Sequence, residues 1–138
     1  MYFRRINLDS TFDKDVIQEM NKDLWDGIFC EFLDDFYAYY ELLPKNYFLD
    51  EPKWGDNFPH EQRVIMSCHI HKLVDKYKRF DRPKWIFKEY YFSKDPIFAM
   101  NAKGNLRLWL LRNSEPYYVL KNCYLGENTL SRCHKQFS

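Results

Sequence analysis

Between Lys22 and Leu43 the chain reads KDLWDGIFCEFLDDFYAYYELL, and its apolar positions recur every three or four residues. Leu24, Ile28, Phe32, Phe36, Tyr40 and Leu43 form one stripe, widened by Trp25, Phe29 and Tyr39. That spacing is the period of an α-helix with one face turned to a core. Asp23, Asp26, Glu31, Asp34, Asp35 and Glu41 fall outside the stripe, and Pro44, which cannot continue a helix, stops it. A shorter helix is predicted ahead of it, around residues 13–20, with Ser10 or Thr11 as its N-cap.

Residues 44–59 are turn-rich, with prolines, a Gly-Asp pair and charges. Pro59 then opens a second helix over about residues 60–80. Its predicted buried stripe is Met66, Ile70, Leu73, Tyr77 and Phe80, and His69, Lys72, Lys76 and Arg79 line a separate basic face. DRPKW breaks this helix, and WIFKEYYF is apolar enough to be a short helix or an extended piece. SKDP and NAKGN are turns. NLRLWLLRN predicts a helix with Leu106, Trp109 and Leu110 facing inward. In RNSEPYYVLKN, Ser114 is the expected N-cap and Pro116 suits a first turn. Tyr117, Val119 and Leu120 then point to the core, and Asn122 or Gly126 ends the unit. GENTLSR repeats the pattern, with Leu130 as its anchor. The expectation is an all-α single domain over residues 1–138, with five or six helices joined by turn-rich connections.

Composition supports a packed core. Twelve Phe and eleven Tyr help bring aromatic residues to 20% of the 138-residue chain, and charged residues make up 30%. A chain of this length buries roughly two-thirds of its unfolded surface and needs no covalent staples. The longest strongly apolar run is LWLL, far short of a membrane span, and the basic residues near the N-terminus are followed by no apolar leader core. The four cysteines (Cys30, Cys68, Cys123 and Cys133) are widely spaced, which suggests reduced thiols and a cytoplasmic setting. Charge is lopsided beneath a formal net of +1. Residues 1–60 carry 6 basic and 13 acidic side chains, and residues 61–138 carry 15 and 7. Mutual neutralisation of two halves that fold together explains this more simply than a nucleic-acid partner does.

Three constellations could carry function. RVIMSCH separates Arg63 from His69 by five residues, a spacing that resembles the Arg-x4-6-His element of HEPN ribonucleases. The resemblance implies metal-independent RNA cleavage, with His69 moving a proton and Arg63 steadying phosphate charge. On one ideal helix the two side chains lie about a third of a turn apart, so they converge only across a dimer or a distorted turn. The acidic face with Glu31, Asp34 and Asp35 offers a surface for a basic protein partner. Lys72, Lys76 and Arg79, interleaved with Tyr77, Phe80 and Trp85, offer a nucleic-acid-binding face. No metal is expected, because His69 and His71 diverge on a helix and Cys68 lies far in sequence from Cys123, Cys133 and His134. With four glycines and no phosphate cradle, no cofactor is expected either.

A broader likeness spans about residues 48–132. The order LDEP, amphipathic helix, RPKW, KDPIF, LRLWLLRNSEPYYVLKN, TLSR resembles a group of small bacterial proteins. These are antitoxin-like or accessory proteins associated with nucleotidyltransferase-type toxins or mobile elements. This chain departs from their pattern by Glu115 between Ser114 and Pro116, and by Lys121 where an arginine is expected. The resemblance implies a non-enzymatic interaction protein of a toxin–antitoxin or defence pair, with a protein partner and no membrane. A second copy of the chain is a further candidate partner. A ribonuclease using Arg63 and His69 and a nucleic-acid-binding accessory protein are the alternatives.

Overall fold

The computed structural model describes residues 22–52, 54, 59–127 and 129–130. The helix expected at 13–20 lies outside them. Four α-helices carry the described residues: α1 Lys22–Tyr39, α2 His60–Lys76, α3 Gly104–Asn113 and α4 Pro116–Val119. Single 3-10 turns cover Tyr40–Leu42, Trp85–Phe87, Glu89–Tyr91 and Ala99–Asn101. A small parallel ladder joins β1 (Ile97–Phe98) to β2 (Cys123–Tyr124), with Ile97 opposite Cys123. The described part is thus mostly helical, with fewer helices than the periodicity suggested and one unpredicted strand pair. WIFKEYYF resolves into two 3-10 turns because the chain repeatedly turns back upon α2.

α1 delivers Phe32, Leu33 and Phe36 into the main core, where Tyr47, Phe48, Met66, Ile70, Leu73, Phe80, Trp85, Ile86 and Tyr91 meet them. Phe36 is its hub. Its ring lies 5.4 Å from Tyr77 edge-on, 5.7 Å from Phe80 and 5.9 Å from both Tyr40 and Phe48. These separations fall in the range that aromatic quadrupoles favour. The helix tightens into its 3-10 turn before Pro44, and Arg79 donates to the carbonyls of Tyr40 and Leu43 there. The Arg79 cation adds to the Leu43 N–H that the Tyr40 carbonyl already accepts, and it suits the negative end of the helix dipole.

α2 begins at Pro59, which caps it in extended conformation, and ends at Lys76. It is the central element, covered on two sides. Met66, Ile70 and Leu73 face the main core, while Val64 and Cys68 join Ile97, Tyr118 and Cys123 in a second apolar cluster. That second cluster corrects the separate basic face expected for α2. His69 is buried, and Lys72 is largely covered, because α4 and the segment after it lie across this side.

Ser114 ends α3 rather than starting α4. Its hydroxyl donates to Leu110 O (2.6 Å) and accepts the Gly126 N–H (3.0 Å). Glu115 occupies the N-cap of α4 with Pro116 behind it, and the buried side chain of that turn is Tyr118, whereas Val119 and Leu120 are exposed. Asn122 (φ 70°) and Gly126 (φ 86°) take the left-handed conformation that turns the chain after α4 and β2. Leu130 is buried in the main core, as its anchoring role requires.

Candidate interaction surface

The residues singled out from sequence are scattered. Arg63 donates to Tyr90 Oη (2.7 Å), and its guanidinium lies 6.0 Å from the centre of the Trp54 ring. His69 faces another direction, with Nδ1 bonded to Tyr118 Oη at 2.6 Å and the two rings edge to face. Burial, reinforced by the Lys72 ammonium, pushes the His69 imidazole down to about 3. A proton shuttle needs an imidazole that is reachable and titrates near the working pH. In one copy of the chain, His69 instead belongs to a polar chain. Thr129 Oγ1 donates to Tyr118 Oη (2.6 Å) and lies 3.3 Å from Glu115 Oε1, and that carboxylate pairs with Lys72 Nζ at 2.7 Å.

Two of the basic trio are likewise committed to the fold. Lys72 holds Glu115, Arg79 caps the end of α1, and Lys76 stands exposed, 5.7 Å from the Tyr77 ring centre. Of the acidic trio, Asp34 and Asp35 are half-buried, and one Asp35 carboxylate oxygen is buried with no hydrogen-bond partner among the described residues. The Glu31 side chain lies outside the described ones. Among the described residues no group of three or more His, Cys, Asp or Glu is placed to hold a metal, and Cys133 and His134 lie outside them. A surface cleft of about 350 Å³ beside Tyr90 is lined by His60, Phe92, Ser93 and Lys94 together with Glu89 and Asp95. Its charges are mixed, which favours no ligand class.

Two features of the structure had no counterpart in the sequence reading. The first is α3. Of its ten residues only Leu110 is buried, at 3% exposure. Leu106, Leu108, Trp109 and Leu111 are 42–55% exposed, and Val119 and Leu120 on the adjoining turn are 40% and 54% exposed. Sequence periodicity identified Leu106, Trp109 and Leu110 as an inward stripe, and two of those three point largely to solvent. The cause is local. The helix docks through its last turn, where Gly126 has no side chain and a Cβ there would stand 3.4 Å from both Leu110 and Trp109. At its start Gly104 faces open space. Lys103 precedes the helix, and Arg107 and Arg112 lie on it, all exposed, with no acidic residue in the helix. A run with apolar residues on more than one side, LRLWLL, was the available signal that a single inward stripe would not cover them.

The second feature is Lys121, 1% exposed. Its ammonium donates to Ser67 Oγ (2.9 Å) and to the Ile86 carbonyl. The ring centres of Phe87, Tyr91 and Phe92 lie 5.2–6.0 Å away. Desolvation pulls this amine down to about 8. No signal in the sequence distinguished Lys121 from a surface lysine.

No family model matches the chain, and neither a curated protein nor a solved structure matches it. Among the described residues no helix is long and apolar enough to cross a membrane.

Proposed function

We propose that the chain is a protein-interaction module that binds an acidic amphipathic helix of a partner protein along α3 and the adjoining Val119–Leu120 turn. The observation that carries this reading is the exposure of Leu106, Leu108, Trp109 and Leu111 on a helix whose one buried side chain is Leu110. Large apolar side chains left this exposed on one short helix are unfavourable in water and mark a candidate interaction site. Covering the exposed part of each such side chain contributes on the order of 1 kcal/mol, and tryptophan is among the residues that most often dominate an interface. Lys103, Arg107 and Arg112 border the apolar residues without a carboxylate on the same helix, so they complement an acidic partner. Such a surface serves the antitoxin-like role that the resemblance implies. It also relocates the expected interface from the acidic face of α1, since Asp34 and Asp35 are partly covered.

The test compares the full chain with a Leu108→Lys, Trp109→Ala double variant in affinity capture from native lysate, alongside sedimentation at increasing concentration. The expected result is capture of an acidic protein by the parent chain, with loss of at least about 2 kcal/mol of affinity in the variant. Equal capture by both chains removes α3 from the interface. Concentration-dependent dimerisation abolished by the same substitutions would make the occupant a second copy, overturning the acidic-partner assignment.

A further inference from the structure

The two arginines of α3 are alike in sequence, and the structure treats them differently. Arg112 is exposed in the last turn, and among the described residues neither a ring nor a carboxylate holds its guanidinium. Arg107 is exposed too, but its guanidinium lies 4.2 Å from the centre of the Phe98 ring. Its Nε–H donates to the Ala102 carbonyl at 3.2 Å. These two contacts fix different degrees of freedom. The ring sets the plane of the guanidinium, and the carbonyl sets its rotation within that plane.

The strand pair builds the platform on which Arg107 rests. The ladder places Phe98 opposite Tyr124, and their rings stack with centres 5.1 Å apart and planes 23° from parallel. The Tyr124 hydroxyl donates to Asn122 Oδ1 (3.0 Å), and the Asn122 amide donates to the Ser93 and Lys94 carbonyls (3.3 and 3.2 Å). Phe98 is therefore held in place before any partner arrives.

A surface arginine ordinarily gives up rotamer freedom when a partner orders it, and that loss subtracts from affinity. Arg107 has given it up in the free chain. Its terminal nitrogens form no hydrogen bond or ion pair among the described residues, so their shared edge is open to an acceptor. That edge matches the two oxygens of a carboxylate, a fit that a lysine ammonium lacks. Arg107 and the exposed Leu111 are four residues apart and so are neighbours on one side of α3. An acceptor beside an apolar contact is what the polar flank of an amphipathic helix presents.

We infer that Arg107 is the specificity-determining contact of α3, a fixed fork that takes one Asp or Glu side chain of the partner helix through both terminal nitrogens, with Phe98 as its positioning residue. This rests on α3 being the interface proposed above. Arg112, free to swing, adds charge to the rim without selecting the acceptor.

The experiment titrates the folded full chain with two synthetic amphipathic helical peptides, identical in their leucines and carrying either glutamate or glutamine on the flank. The parent chain is expected to prefer the glutamate peptide by about tenfold. Arg107→Lys, which keeps the charge, removes most of that preference, and Arg112→Lys changes it by less than about twofold. Phe98→Leu weakens glutamate-peptide binding about fivefold, and Phe98→Tyr retains it. In the free chain, nitrogen-15 relaxation at Nε–H reports a rigid Arg107 and a mobile Arg112, and Phe98→Leu makes the two alike. If Phe98→Leu fails to fold by circular dichroism, Arg107→Lys and the relaxation of the parent chain decide. A preference undiminished in Arg107→Lys, or equal mobility of the two arginines in the parent, overturns the inference and leaves α3 an interface. Binding of neither peptide, or binding that survives Leu108→Lys with Trp109→Ala, removes the α3 reading and this inference with it. Tighter, Arg107-dependent binding of a single-stranded RNA oligonucleotide makes the acceptor a phosphate and overturns the carboxylate assignment.

Discussion

A buried imidazole makes a fold sensitive to pH, and His69 is the strongest case among the described residues. Burial and the neighbouring Lys72 ammonium bring it down to about 3 from an ordinary 6.5. The unfolded chain therefore takes up this proton as pH falls through about 6.5, while the native chain does not until much lower. The stabilisation is complete above 6.5 and is lost progressively as pH falls toward 3, with a limiting slope of about 1.4 kcal/mol per pH unit. His71, also lowered mainly by burial, acts with the same sign. Thermal melts of the parent chain between about pH 7.5 and 5 should fall in midpoint, and His69→Gln should show a shallower fall. Equal slopes would mean that the imidazole ionises in the native state. The pairing of Arg63 with His69 was legible in sequence as spacing alone. Nothing in that spacing could show that Tyr118, forty-nine residues onward, takes the histidine and Tyr90 takes the arginine.

At the scale of elements, α3 puts two neighbouring leucines to opposite uses. Leu110 fits beneath Ser114 and against Gly126, and Leu111, one residue on, is 45% exposed. Leu110→Ala removes a buried side chain and leaves a cavity, so it should cost about 2–5 kcal/mol. Leu111→Ala should cost about 0.5 kcal/mol, as surface changes do. Chemical denaturation of both variants measures the contrast, and comparable losses would show that α3 is packed along its length. The helix itself was predictable, since NLRLWLLRN lies between glycine-bearing turns and a Ser-Glu-Pro break. Its inward face was not. A helix rich in leucine supports several orientations equally well, and the one adopted depends on which side the chain after it covers.

For the whole molecule, the segment after α3 acts as a cover for α2. Tyr118, Lys121, Cys123 and Leu130 are all buried: Tyr118 and Cys123 join Val64 and Cys68, Tyr118 also holds His69, Lys121 reaches Ser67, and Leu130 enters the main core. Ending the chain at Asn113 removes those groups and exposes a polar histidine side of α2 together with two apolar residues. A domain of this size holds only about 5–15 kcal/mol of net stability, and each large apolar side chain contributes roughly 1.5–3 kcal/mol when buried. The truncated chain should therefore show no cooperative melt by calorimetry. A melt at the parent temperature would mean that residues after Asn113 are an appendage rather than part of the core.

Periodicity by itself determined that α1 and α2 are helices and that Phe32 and Phe36 of the first and Met66, Ile70 and Leu73 of the second meet the main core, because a 3.6-residue repeat of large apolar side chains has one favourable burial. Punctuation did the same for the chain's turns: Pro44 ends the first helical unit, Pro59 opens α2, and Gly126 takes a left-handed turn. Tertiary structure alone decided the fate of the polar residues. Whether a lysine is a solvated surface charge or a buried donor depends on what the rest of the chain places over it. Lys72, Arg79 and Lys121 look alike in sequence and end as an ion pair, a helix cap and a buried donor to the Ser67 hydroxyl and the Ile86 carbonyl. The two-residue ladder between Ile97 and Cys123 was equally illegible, since so short a strand has no period to read and exists only where packing brings its partner alongside.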